Sequence, residues 1–390
     1  MLAHCCSSRP SQDALVQAGA TPALISLLDN SAQRTRQAAA LSALAALTRN
    51  NPVSCAAVLK NPIDGGGSGD GAAAAGDQVL SQLLSYAKTS TLPRTRFTAC
   101  ECLIHLSPYI PEAPGASAAP EQEDLDLEAG GVDATAAPLL QNYSGNISQE
   151  TVDTAVLPVI VRLLSENEVW EDVPTALIVL AQEKPSLQSA AVDADAIVRL
   201  ATLVRDPAIG VKGRGSALLA LGMLTEKVES HRRQLVDSGV LPVIASALTD
   251  ASSAVRAAAC NCMRSLSRST RLLRCSLGSL GDVAAPLLEL SRSDDVEVAT
   301  EAAATLANMA VEYSSLKEQV LVLQGIARFV ELTGAMNKRM RLYGVWGLSS
   351  VVYLASPEVK AAVMNGLPWS CVRALLQDED QEVKVKSICS

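Results

Sequence analysis

Large aromatic rings are nearly absent from this chain: two Phe, six Tyr and three Trp supply 3% of 390 residues. Its 48% apolar content must therefore fill a core with Ala, Leu and Val. Ala and Leu are strong helix formers, and small side chains let helices approach closely, so many short stacked helices suit this composition better than a sandwich or a nucleotide-binding sheet. Histidine is scarcer still. His4, His105 and His231 cannot supply a cluster, and His4-Cys5-Cys6 point about 100° apart around a helix with no second ligand pair at zinc spacing. No run approaches the roughly 18 apolar residues that cross a bilayer. The start, MLAHCCSSRP, lacks a charged n-region and a long apolar stretch. Ten cysteines are too few for a disulfide scaffold, so reduced thiols in the cytoplasm and nucleus are expected.

Catalytic signatures are missing too. The glycine-rich run 65–71 has no strand before it, and Gly210-Val-Lys-Gly-Arg-Gly lacks the Lys-Ser/Thr ending of a phosphate loop. There is no GxSxG, no HExxH and no supported pair of carboxylates. Cys100/Cys102 and Cys260/Cys262 are i, i+2 pairs that read as small core residues. We expect no enzyme, no cofactor, no metal and no small-molecule substrate.

The net charge of −9 is unevenly spread. From Ser107 to Ala155 there are nine acids and no Lys or Arg; outside that segment 32 acids face 32 bases. A near-neutral body without a clustered positive surface argues against nucleic acid.

What is present is a repeat. Segments opening at Gly239 (GVLPVIASAL), Gly281 (GDVAAPLLEL), Gly325 (GIARFVEL) and Gly366 (GLPWSCVRALL) lie 42, 44 and 41 residues apart. Further copies begin at Gly19 (GATPALISLL), near Ala155 (AVLPVIVRLL) and near Asp195 (DAIVRLATLV). The spacing predicts armadillo or HEAT units. Gly is expected to end one helix in a left-handed cap, with Pro in the first turn of the next. Ala-rich helices follow at 34–47, 254–266, 298–310 and 339–352, each with one apolar stripe turned inward. The expected fold is all-α, one right-handed superhelical solenoid of armadillo/HEAT-type repeats over residues 1–390, with the last helix of each unit forming its concave wall. Residues 62–76 and 111–137, rich in Gly, Ala and Pro, read as disordered inserts, the second acidic. Both ends fall inside a repeat without a polar cap, so a fragment of a longer solenoid is expected.

Aligning the Ala-rich helices places Met223, Ser265, Asn308 and Ser350 at equivalent positions of the concave wall, and Leu219, Asn261, Ala304 and Trp346 four residues upstream. In armadillo importins these two ladders are Asn and Trp, which clamp an extended peptide; only Asn308 and Trp346 match here. Trp346 is either a binding anchor on the inner wall or an ordinary core aromatic, with Ser350 and Tyr353 one and two turns onward.

The segments SSAVRAAACNCMRSLSRSTRLLR (252–274), LANMAVEYSSLKEQVL (306–321) and RLYGVWGLSSVVYLA (341–355) resemble the armadillo subunits of CTLH/GID ubiquitin ligases. HCCSSRP…ALVQAGATPALISLL (4–28) and TRFTACECLIHL (95–106) are similar as well. The resemblance implies a non-catalytic scaffold that docks a substrate receptor onto the ligase core, in the service of ubiquitin-dependent degradation. It also implies that Trp346, Ser350 and Tyr353, with Asn308 and Arg264 from earlier repeats, hold the receptor's tail; Ser350 stands where Asn is usual. The alternative is an adaptor of the importin or catenin kind that binds linear peptides.

Overall fold

A computed structural model describes residues 2–28, 33–60, 71–110, 146–269, 271–272, 282–311, 314 and 316–389. Among them there is no strand, and no helix is long and apolar enough to cross a membrane. The chain is an all-α solenoid of armadillo/HEAT type, in two compact units, Met1–Ala194 and Asp195–Ser390.

In the first unit the helices Arg34–Thr48, Pro93–Leu106 and Gln149–Leu163 pack in succession. Leu41, Leu44, Phe97, Leu103, Val156 and Ile160 are almost wholly buried along them. Several buried polar groups here are paired, as burial demands, while the hydroxyls of Thr21 and Ser54 find no partner among the described residues. The Gln12 amide donates to the carbonyls of Ala46 and Arg49 at 2.9 and 3.1 Å, and Asn51 caps the next helix by accepting from Ser54 N–H at 3.1 Å. Asp153, also buried, accepts from the Ser107 hydroxyl and pairs with Lys184 at 2.6 Å.

The second unit repeats a short helix followed by a long one. The long helices Val211–Thr225, Ser253–Ser267, Val296–Met309, Lys338–Val352 and Gln381–Cys389 stack in that order. The apolar stripe expected on each is too narrow an account. In Val296–Met309 eleven of fourteen residues are buried, because a helix inside a stack has neighbours on both sides as well as its own short helix. Its many Ala and Thr residues suit so close an approach.

The left-handed caps are where the glycines predict them at Gly19 (φ +80°) and Gly239 (φ +72°). At the Gly325 copy the left-handed residue is Gln324 (φ +63°), and at the Asp195 copy it is Asp195 itself (φ +66°). Gly325 instead begins its helix so close to Val320 that a Cβ would lie 2.5 Å from the Val320 carbonyl oxygen. Gly366 closes the helix Pro357–Gly366 without a positive φ.

The helix expected to open near Ala155 starts earlier. Gln149–Leu163 is continuous, with Pro158 inside it, and Ser148 caps its start by accepting from Thr151 N–H at 3.2 Å. Of the Gly/Ala-rich insert expected over 62–76, residues up to 70 lie outside the described ones, while 71–76 begin the helix Gly71–Thr89, as the helix preference of Ala72–Ala75 favours. The acidic insert 111–137 and Gly281 also lie outside the described residues.

Candidate functional site

Three of the five residues singled out from the sequence meet around one cavity. Arg264 comes from the Ser253–Ser267 helix, Asn308 from Val296–Met309 and Trp346 from Lys338–Val352, and together with Arg268, Ala304 and Tyr343 they line about 210 Å³. Ala304 is buried and small; its lack of bulk leaves room between the flanking Arg and Trp side chains. Asn308 donates from Nδ2 to the Ser267 hydroxyl at 3.1 Å. Trp346 is 38% exposed, so it is a surface ring and not a core aromatic.

A second cavity of about 610 Å³ lies beyond Trp346, between its helix and Gln381–Cys389. It shares Trp346 and Tyr343 with the first and adds Leu342, Glu382, Val385 and Lys386. The Lys386 ammonium sits 4.9 Å from the centroid of the Trp346 ring, within range of a cation–π attraction that holds the indole in place.

The direction in which Trp346 points is set by its neighbours. Gly344 and Gly347 lie against the helix Gly325–Thr333 so closely that a Cβ on Gly344 would stand 2.8 Å from Thr333 N and 2.9 Å from the Phe329 carbonyl, and one on Gly347 would enter the Phe329 ring. Close contact on that side rotates the intervening residue, Trp346, to the open side, since helical neighbours are about 100° apart.

Charge crosses the same helices in an alternating ladder. Glu226 lies 3.5 Å from Arg264 Nη2 and 3.2 Å from Arg268 Nη1. Arg264 Nε is 2.7 Å from Glu301 Oε2, an ion pair not aligned as a hydrogen bond, and Glu301 Oε1 is 3.4 Å from Arg339 Nη2. Burial alone would lower the Arg339 pKa, but the Tyr343 hydroxyl that accepts from it and the Glu301 and Glu297 carboxylates keep it above its ordinary value. Glu301 is buried, and a buried carboxylate is tolerated only when paired. Glu301, together with Glu226, thus holds Arg264 in a fixed orientation beside the cavity.

Ser350 and Tyr353 line neither cavity. Ser350 is 8% exposed, and Tyr353 caps the end of its helix at 65% exposure. The Asn-type ladder alternates: Met223 and Asn308 are half-buried, while Ser265 faces inward to the Thr225 hydroxyl at 2.8 Å. In the other ladder Leu219 and Trp346 are exposed, Asn261 is half-buried and Ala304 is covered.

The residues that sequence reasoning passed over were within its reach. Arg268 is one turn beyond Arg264, and Tyr343 one turn before Trp346. Glu226, Arg264, Glu301 and Arg339 follow one another at 38, 37 and 38 residues, close to the repeat length, with alternating sign. No three His, Cys, Asp or Glu side chains converge as a metal site among the described residues, and the side chain of His4 lies outside them.

The model of the HEAT repeat matches residues 240–269, which include the Ser253–Ser267 helix with Arg264 and, just past its end, Arg268. GID complex subunit 5 of Schizosaccharomyces pombe is 32% identical over 169 residues, 43% of this chain and 21% of that protein. Armadillo repeat-containing protein 8 of Danio rerio is 31% identical over 176 residues, 45% of this chain and 26% of its own, and the Xenopus laevis protein is 28% identical over the same length. The chain is similar to these proteins over less than half of its own length. It spans about a fifth to a quarter of their length. Among solved structures, an engineered protein aligns with 99% of this chain at a TM-score of 0.66 and 20% identity. A designed armadillo repeat protein in complex with the peptide (KR)4 aligns with 60% at 0.52 and 18%. At such identities these two establish the fold alone.

Proposed function

We propose that this chain is a non-catalytic scaffold subunit of a GID-type ubiquitin ligase that docks a substrate receptor beside Trp346 for ubiquitin-dependent degradation. The observation that carries this reading is the pair of adjoining cavities that share the exposed Trp346 and the half-buried Tyr343, in a chain similar to GID complex subunit 5. Tryptophan supplies a large contact area at low conformational cost and dominates many interfaces. Arg264, Asn308 and Trp346 form the docking site proper. Tyr353, exposed two turns further on, extends it. Catalysis of transfer belongs to other subunits of the assembly, and the expected compartments are the cytoplasm and nucleus.

The importin-like alternative, capture of basic linear peptides, meets two guanidiniums in the cavity that a Lys side chain would enter. That disfavours the importin-type half of the alternative; the catenin-type half, capture of acidic linear peptides, is told apart from receptor docking by whether ligase subunits come down with the chain. Trp346→Ala is expected to weaken receptor binding about 30-fold or more, so that the receptor no longer co-purifies while the helical circular-dichroism signal is unchanged. Undiminished recovery of the receptor would refute the site.

A further inference from the structure

The two cavities differ in chemistry, and the difference specifies an occupant. The smaller one is lined by the guanidiniums of Arg264 and Arg268, which only donate, by the Asn308 amide and the Ser267 and Tyr343 hydroxyls, which bond within the protein, and by no carboxylate. Arg264 and Arg268 both lean on Glu226, and Arg264 pairs with Glu301 as well. Arg268 remains 46% exposed at its side chain, so it has donors to spare for a ligand. In the larger cavity Leu342, Val385 and the Trp346 ring make an apolar surface, and Glu382 and Lys386 offset each other's charge at its edge.

The cavities adjoin across one indole ring, separated by a single step of the helix stack. In an extended chain only residues of equal parity project to one side, and neighbours of that kind are about 7 Å apart. Stacked helices are about 8–10 Å apart, a gap that side-chain reach closes. We propose that the docked partner is an extended protein segment that places an Asp or Glu side chain against Arg264 and Arg268 and, two residues away, an apolar side chain between Trp346 and Val385. This assignment rests on the docking reading above and narrows it to one class of partner. An acid at that point gains charge-assisted bonds to guanidiniums already oriented by Glu226 and Glu301, whereas a Lys or Arg meets like charge. The intact chain, with its Glu301–Arg264 pair, is thereby built to discriminate by repulsion as well as by attraction.

The test is peptide selection on the whole 390-residue chain. The probes are two displayed libraries of random heptapeptides, one flanked by Gly-Ser on both sides and one ending in a free carboxylate. The expected result is enrichment, in the flanked library, of Asp or Glu two positions from Leu, Ile, Met or Phe. Arg268→Glu, at a half-exposed position that the fold tolerates, should weaken those peptides about tenfold or more and select Lys or Arg in place of the acid. Trp346→Ala should lose both classes of binder. Enriched peptides that depend on Trp346 but carry no acid overturn this inference and leave the docking reading standing. Enrichment confined to free carboxylates overturns it as well, assigning the arginines to a chain terminus. Peptides indifferent to Trp346→Ala sink both readings. Failure to enrich anything sinks this inference, and receptor co-purification then judges the docking reading by itself.

Discussion

His105 shows how a single side chain can couple the first unit to pH. It lies on the Pro93–Leu106 helix with its Nδ1 3.2 Å from the Thr48 hydroxyl. Burial, with the nearby Arg49 charge, lowers its pKa to about 4. The unfolded imidazole titrates near 6.5, so below that pH the unfolded chain takes up a proton that the folded one refuses. The contribution is therefore whole above about pH 6.5 and is lost as pH falls towards 4, amounting to about 3 kcal/mol across the window. His105→Gln should flatten that stretch of the stability-versus-pH curve, measured by urea denaturation between pH 7 and 4. An unchanged slope would remove His105 from the account. The buried thiols Cys55, Cys100, Cys260 and Cys262 are shifted the other way by desolvation, up to about 12, so they stay protonated and serve as small core residues. That role was legible in the sequence for Cys100, Cys260 and Cys262, from the i, i+2 spacing of their pairs inside apolar helices.

At the scale of an element, the Lys338–Val352 helix ties packing to the site. Its glycines look like helix weaknesses by propensity, yet they admit the Gly325–Thr333 helix with Phe329 at closest approach. Gly347→Ala is expected to lower stability by about 1–3 kcal/mol, through overpacking against Phe329, despite the better helix propensity of Ala. A rise in the thermal midpoint would show that Phe329 has room to move. The start of this helix is tied to the next repeat by Arg341, which donates from Nε and Nη2 to the two oxygens of Asp378 at 2.7 and 2.9 Å. That bidentate pair holds the Asp378 carboxyl below its usual pKa. Periodicity located this helix and its partners, but not the all-round burial of Val296–Met309. A stripe is a property of one helix against one neighbour, and the stack supplies several.

At the scale of the molecule, repeated units of about forty residues cannot bury their apolar faces singly, and stacking supplies the missing partner surface. On the docking reading, the face that results recognises its partner by shape and charge. Affinity purification of the tagged chain from cells, followed by mass spectrometry, is expected to recover RING and LisH/CTLH-domain proteins together with a receptor. Transport factors or catenin-type partners in their place would shift the assignment to the adaptor alternative.

The order of glycine, proline and Ala-rich helix recurs because local backbone preference and apolar period are written in consecutive residues. Helix content and repeat length followed from the sequence alone for that reason, whereas the likeness to armadillo subunits rested on the particular residues of 252–274, 306–321 and 341–355. Which faces stay open was settled only in three dimensions. Whether Trp346 turns outward depends on Phe329 meeting Gly344 and Gly347, and whether Ser350 is covered depends on the helices stacked against it. Arg264 and Arg268 came together with Asn308 and Trp346 because helices about forty residues apart lie side by side, a contact that no local preference encodes.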